Sequence, residues 1–282
     1  MLLTHETFEL IDRALVEDLI AEDVTTDILT PPDQQGKAVL LAQAEGVLAG
    51  LPVACAVFTR VDPSLQVETL VKDGSPLSHG QHLAHIQGAV GNIMRAERTA
   101  LNFLQRMSGI ATETARYVKA VERLPVQVLD TRKTLPGHRY LDRYAVRMGG
   151  GSNHRFTLAD GILIKDNHIA ALRAQGLSLT DVVRRAVEQA PLALKVEVEV
   201  VSVEGAREAL EAGAHIILLD NMGLEEMRRV VELVKGRVSI EASGGITLET
   251  VRAVAETGVN VVSSGALTHS VHAMNISLDL LC

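Results

Sequence analysis

The chain is poor in aromatic residues: only 2% of its 282 residues are Phe, Trp or Tyr, and Trp is absent. Stacking platforms for unpaired bases are thereby disfavoured. The core must be built from Val, Leu, Ile and Ala, which suits parallel strands covered by helices. Positive charge is also in the minority, with 27 Lys and Arg against 35 Asp and Glu and a net charge of −8. A nucleic-acid binder would show the reverse balance, so any basic site must be local. Cysteine is nearly missing. Cys55 and Cys282 lie far apart and match no metal-ligand spacing, a pattern expected of free thiols in a reducing compartment. No apolar run approaches the ~20 residues of a membrane span. The opening MLLTHETFELIDRALVEDL is interrupted by acids from Glu6 onward and has no basic leader. No signal peptide and no membrane partner are expected, and the cytoplasm is the expected compartment.

What is present is periodicity. Thr4 is placed to cap a helix over 5–20, whose apolar positions Phe8, Ile11, Leu15 and Leu19 recur at helical spacing. Strand-like runs at 37–44, 65–71 and 82–87, with a helix at 51–61, predict a small α+β domain. Two helices, at 92–106 and 110–123, then lead into a strict alternation. Apolar runs at 126–129, 161–164, 194–200, 215–219, 238–242 and 259–263 are separated by helical patterns such as 179–189, 203–212, 224–234 and 248–257. Repeated βα punctuation predicts a parallel sheet. Its persistence favours a closed α/β barrel over an open doubly wound sheet, and no G-x-G-x-x-G follows a strand. The pattern change puts the domain boundary near 108.

Polar residues recur where these runs end. Asp130, Thr131, Arg132 and Lys133 follow the first, and Lys165, Asp166, Asn167 and His168 the second. Glu197 and Glu199 lie on the third, and Asp220 and Asn221 end the fourth. Glu241 to Gly245 close the fifth, and Ser263 to Ala266 the last. In α/β barrels the active site lies at the carboxyl ends of the strands, so these residues are expected to share one site. Between Arg132 and Lys165 there are seven Lys and Arg against two Asp. Arg139, Arg143 and Arg147, four apart, are expected to form an exposed stripe on a helix. Arg132, Lys133, His154, Arg155 and Lys165 lie at strand ends or beside the loop 149–153, whose glycines allow close backbone approach. Such a cluster suits a ligand with several negative charges. Ser243-Gly244-Gly245, before a helix expected from Leu248, and Ser264-Gly265-Ala266 suit a phosphate cradle. Glu199 and Asp220 suit Mg²⁺ held partly through water and substrate oxygens, or ion pairs with the basic residues.

The segments EDLIAEDVTTD (17–27), ERTALNFLQRMSGIAT (97–112), DTRKTLPGHRYLDRYAV (130–146), GGGSNHR (149–155), LIKDNH (163–168), EVEV (197–200), LLDN (218–221), ASGGI (242–246) and SGALTHS (264–270) together resemble the quinolinate phosphoribosyltransferase family. Its members are also called carboxylating nicotinate-nucleotide pyrophosphorylases. The resemblance implies a type II phosphoribosyltransferase-like α/β fold. An N-terminal α/β open sandwich, 1–108 joined by the tail 271–282, would accompany an incomplete barrel of about seven strands over 109–270, with the active site. It implies condensation of quinolinate with phosphoribosyl pyrophosphate to nicotinate mononucleotide, pyrophosphate and CO₂, with Mg²⁺ required, in NAD biosynthesis. It also implies a homodimer with shared active sites, Arg98 crossing to the partner; assembly beyond that, up to a hexamer, stays open. Thr131, Arg132, Lys133, His154, Arg155 and Lys165, with Arg98, would bind substrate, as would Glu199, Asp220 and the two small-residue loops. Lys133, His154, Glu199 and Asp220 would be catalytic, the last two holding the metal. His138 in TLPGHR stands where an apolar residue is expected. The alternatives are the same fold acting on another anionic acid, as in pyrophosphorylase-like proteins associated with molybdate transport, or a non-catalytic anion-binding barrel.

Overall fold

The computed structural model describes residues 3–18 and 23–281. The last two positions of the helix expected over 5–20, part of the 17–27 segment and Cys282 lie outside the described residues. The first helix, His5–Asp18, is capped as expected: Thr4 Oγ1 accepts the Thr7 N–H at 3.3 Å.

The chain packs as two compact units. The first takes in Met1–Ala115, Thr134–Gly150 and Leu267–Cys282; the second takes in Arg116–Lys133 and Gly151–Ala266. This division differs from a single boundary near 108 with a returning tail, and close contacts within the first unit explain why. A bidentate pair joins Arg106 on the helix Val90–Ala120 to Asp142 on the helix Arg139–Met148, at 3.0 and 2.7 Å, with Asp142 fully buried. A Cβ on Gly149 would lie 2.3 Å from the Ala111 carbonyl oxygen, so that glycine serves helix packing. The same reasoning accounts for the long helix. Two helices were expected with a break near Gly109, but Val90–Ala120 is continuous. A Cβ at 109 would stand 2.2 Å from His272 O, so Gly109 is there for close backbone approach and does not break the helix.

The antiparallel sheet of the first unit runs, in spatial order, Ile276–Leu281, Gln35–Ala42, His82–Ala89 and Gln66–Thr69. The tail strand Ile276–Leu281 gave no separate signal in the sequence; it pairs antiparallel with Gln35–Ala42. Ala38, Leu40, Leu83, Ala84, Ile86 and Phe58 are fully buried here. The predicted exposed stripe does not form. Arg143 is 3% exposed, because its helix buries Leu141, Asp142, Ala145 and Val146 beside it, and of the three arginines only Arg147 is exposed.

The second unit holds a parallel sheet of six strands, in the order Gln127–Leu129, Val261–Ser263, Ser239–Ser243, Ile216–Asp220, Val196–Val200 and Ile162–Ile164. One further parallel bridge, Leu129 with Ser152, extends it past Gln127–Leu129 by a single position. This is an incomplete barrel built by βα alternation. Outward positions Val196, Val198, Ile217, Leu219, Ile240, Ala242 and Val262 are buried under helices. The alternate positions, which face the lumen, include Glu197, Glu199, Asp220, Glu241, Ser243 and Ser263. Barrel interiors are normally filled by branched apolar residues, so a lumen this polar marks where function resides.

Candidate active site

Every expected site residue except Arg98 falls in the second unit. At the end of Gln127–Leu129, Asp130 is fully buried and accepts from Asn153 Nδ2 at 2.6 Å and from the His154 N–H at 2.9 Å. One carboxylate thus ties the 153–155 loop to a strand end. Arg155 Nη1 donates to Gly161 O at 2.8 Å. Burial holds the Arg155 pKa below the usual value, with repulsion from Arg132 in the same direction and Glu197 opposing. Arg132 thus lies near enough to repel the Arg155 charge, and among the described residues Arg132 Nε is buried with no hydrogen-bond partner. Crowded cations of this kind call for an anion with more than one charge. Lys133 is exposed next to them, its N–H held by Thr131 Oγ1 at 3.1 Å.

Across the sheet, Lys165 Nζ lies 3.8 Å from Glu199 Oε2. Burial raises the Glu199 pKa; Lys165 opposes this, and Asp220, Asp166 and Glu197 add to it. Three carboxylates and one lysine thus act on Glu199 at these strand ends. Asp220 accepts from Asn221 Nδ2 at 3.0 Å. His168 caps the helix Asp166–Arg173 by accepting the Lys165 N–H at 2.9 Å.

The two small-residue loops differ from the expectation in one respect. The helix after Ser243-Gly244-Gly245 begins at Val251 and not near Leu248. The turn is instead made by Gly244 and Gly245 at φ +88° and +60°, a left-handed bend that L side chains rarely adopt. A Cβ on Gly244 would lie 2.5 Å from the Asn221 side chain. Ser264 N–H donates to Leu129 O at 3.0 Å and its hydroxyl to Ile246 O at 2.9 Å, so Ser264 ties the two loops together. Gly265 and Ala266 lead directly into the short helix Ala266–His269.

Sequence reasoning did not single out the partners of His154. Its Nε2 is 3.3 Å from Glu197 Oε2 and 3.5 Å from Glu241 Oε1, and both glutamates are buried. Burial opposes charging the ring; the hydrogen bonds to Glu197 and Glu241 outweigh it and push its pKa up to about 10. Burial also raises the Glu197 pKa. The signal for Glu197 was its period-two spacing from Glu199 in EVEV, which sets both on one face of the strand. These side chains line a cavity of about 490 Å³ with Arg155, Asp160 and Lys195. Ile162, Ile216, Ser239 and Val261 also line it, each at the first position of its strand, so the cavity reaches the amino ends of the sheet.

In the first unit, Arg98 is exposed on the long helix and lines a separate cavity of about 530 Å³ with Arg13, Arg106 and His138. His138 stacks on Phe103 with ring centroids 5.8 Å apart, and burial lowers its pKa. A neutral, stacked imidazole thus fills the place expected to be apolar.

The family model for the quinolinate phosphoribosyl transferase C-terminal domain matches residues 110–279, and the N-terminal domain model matches 23–108. The chain belongs to the quinolinate phosphoribosyl transferase family. It is 43% identical to quinolinate phosphoribosyltransferase (decarboxylating) 2, mitochondrial, of Nicotiana glauca, over 98% of this chain and 83% of the relative. Among solved structures, NadC from Streptococcus pyogenes matches with a TM-score of 0.92 and 42% identity over 99% of both chains. The nicotinate-nucleotide pyrophosphorylase from Francisella tularensis matches with a TM-score of 0.92 and 35% identity, over 98% of this chain and 96% of that one. These likenesses place the incomplete barrel of this family member among the quinolinate phosphoribosyl transferases. Among the described residues, no helix is long and apolar enough to cross a membrane.

Proposed function

We propose that the chain carries out the reaction its family is named for, condensing quinolinate with phosphoribosyl pyrophosphate to nicotinate mononucleotide, pyrophosphate and CO₂. The observation that carries this reading is the set of opposed charges on one sheet. Arg132 repels Arg155 while Glu197 attracts it, and Asp220 repels Glu199 while Lys165 attracts it. Quinolinate has two carboxylates, and Arg132, Arg155 and Lys165 can hold both through charge-assisted hydrogen bonds. The ring nitrogen is thereby oriented toward the sugar carbon, where proximity supplies much of the rate. The nitrogen bonds to that carbon as the bond to pyrophosphate breaks. Positive charge develops on the sugar, and Glu199 and Asp220 stabilise it. Loss of CO₂ leaves an electron pair on the ring carbon, which takes up a proton. Lys133 and His154 are the candidates for stabilising or protonating this carbon.

Glu199 and Asp220 fit Mg²⁺. Burial and the Asp220 charge both disfavour the Glu199 carboxylate, Lys165 is its one cationic neighbour in the described contacts, and two carboxylates leave places for water and phosphate oxygens. Bound there, the ion would neutralise charge on the leaving pyrophosphate. The bend at Gly244 and Gly245, with Ser243 and with Gly265 and Ala266 at a short helix start, is suited to phosphate; Ser264 braces it. The reading includes a homodimer in which Arg98 of one chain completes the partner's site, supported by its exposure on the long helix beside a cavity. It also includes a cytoplasmic location, supported by the free thiol of Cys55.

The test is incubation with quinolinate, phosphoribosyl pyrophosphate and Mg²⁺. Stoichiometric nicotinate mononucleotide, pyrophosphate and CO₂ are expected. Turnover of a different acid with none of quinolinate would move the chain to another substrate on the same fold, and binding without turnover would make it an anion-binding barrel.

A further inference from the structure

His154 is held on both edges of its ring. Nδ1 accepts the Arg155 backbone N–H at 2.8 Å, and Nε2 faces Glu197 and Glu241 at 3.3 and 3.5 Å. With the Arg155 N–H pointing at Nδ1, the geometry is that of a ring with its proton on Nε2, the edge that faces the glutamates. The same geometry argues against a metal ion. The His154, Glu197 and Glu241 donors lie within 4.8 Å of one another, but a ligating Nε2 would put the ring proton on Nδ1, against the Arg155 N–H. Glu241 Oε1 is further held by Ser263 Oγ at 2.5 Å. Among the described residues Glu197 Oε1 is buried with no hydrogen-bond partner, so this carboxylate is costly to keep unless the His154 contact serves a purpose.

We propose that Glu197 and Glu241 are positioning residues for quinolinate, acting through His154 on Arg155. The glutamates fix the Nε2–H edge of the ring, the opposite edge fixes the Arg155 main chain, and Gly161 O steadies the Arg155 guanidinium. The guanidinium is thus set beside Arg132 before substrate arrives. This rests on the proposed function only in taking quinolinate as the ligand of Arg155. The family activity does not by itself require carboxylates at these buried positions.

The experiment measures quinolinate affinity by calorimetry alongside steady-state kinetics. Glu197→Leu should raise the quinolinate Kd and KM roughly tenfold, as loss of one well-placed charged contact does. The KM for phosphoribosyl pyrophosphate should stay within about twofold. Glu197→Gln, whose amide oxygen still accepts the Nε2–H, should recover most of the loss. In a His154→Ala background, Glu197→Leu should add nothing. A fall in kcat with quinolinate KM unmoved, or an equal loss from Glu197→Leu with and without His154, would overturn the proposal. Should Glu197→Leu not fold, His154→Ala alone must raise the quinolinate Kd and His154→Ala/Glu197→Gln must match it; an additive loss would refute the coupling. Absence of quinolinate turnover by the wild type, with binding intact, would count against the proposed function and leave the affinity series to be read by itself.

Discussion

The two sheets of this molecule use the same chemistry of burial for opposite ends. In the antiparallel sheet of the first unit, buried positions such as Ala38, Leu40, Leu83 and Ile86 are apolar, and charges stay on its surface. In the parallel sheet of the second unit, only the outward face is apolar. The inward face buries Glu197 and Glu241 almost completely and half-buries Glu199 and Asp220. Burying a carboxylate opposes its charge and weakens the fold unless partners compensate. The first sheet thus keeps its buried face for stability, and the second gives some of that up for a charged lumen. Substitutions should separate the two: stability should fall in one sheet and activity in the other.

The largest effect is expected from Phe58→Ala, which empties a fully buried site in the first unit. Chemical denaturation should show a loss of about 3–5 kcal/mol, with quinolinate KM unchanged while the protein is folded. Glu199→Ala and Asp220→Ala should do the reverse. Each should lower kcat on the order of a hundredfold to a thousandfold, as loss of transition-state electrostatics does, and leave the Tm unchanged or higher. A near-normal kcat in either variant would return that carboxylate to simple ion pairing.

Much of this contrast was legible in the sequence. Each apolar run from 126 onward ended in a charged or small residue, and the strand-end rule for barrels turned that into a list of site positions. Asp220 and Lys165 lie where this argument put them, at the carboxyl ends of Ile216–Asp220 and Ile162–Ile164. What stayed hidden depended on contacts distant along the chain. His154 meets Glu197 and Glu241, 43 and 87 residues further on, and nothing local to GGGSNHR announces either. Arg143 looked exposed because its spacing matched a helix face, and the burial of that face was set by packing against the rest of the unit. The single helix Val90–Ala120 read as two, at 92–106 and 110–123; Gly109 lies in the gap between them, and only the neighbouring His272 carbonyl shows why it is needed.

That last reading leads to a smaller effect within the first unit. Gly109→Ala would push a Cβ to 2.2 Å from His272 O, and overpacking should cost ~1–3 kcal/mol of stability. A neutral or stabilising result, as expected for glycine to alanine in an ordinary helix, would show that the close approach does not constrain this position. Smallest in absolute signal is a complementation between subunits. Arg98→Ala and Lys165→Ala proteins, each nearly inactive, should on subunit exchange regain about a quarter of wild-type activity, since roughly half the dimers are mixed and each of those has one intact site. No recovery, with exchange shown independently, would place Arg98 in its own chain's site.

The central claim is that the crowded pair Arg132 and Arg155 reads a dianion. Its most direct test is a comparison of initial rates with quinolinate and with nicotinate, which lacks one carboxylate, at equal phosphoribosyl pyrophosphate. Loss of a charge-assisted contact at ~1.5–3 kcal/mol predicts that quinolinate is favoured in kcat/KM by roughly tenfold to more than a hundredfold. Arg155→Lys should narrow that gap, because a point charge cannot replace the bidentate fork. Comparable kcat/KM for the two acids in the wild type would contradict the account.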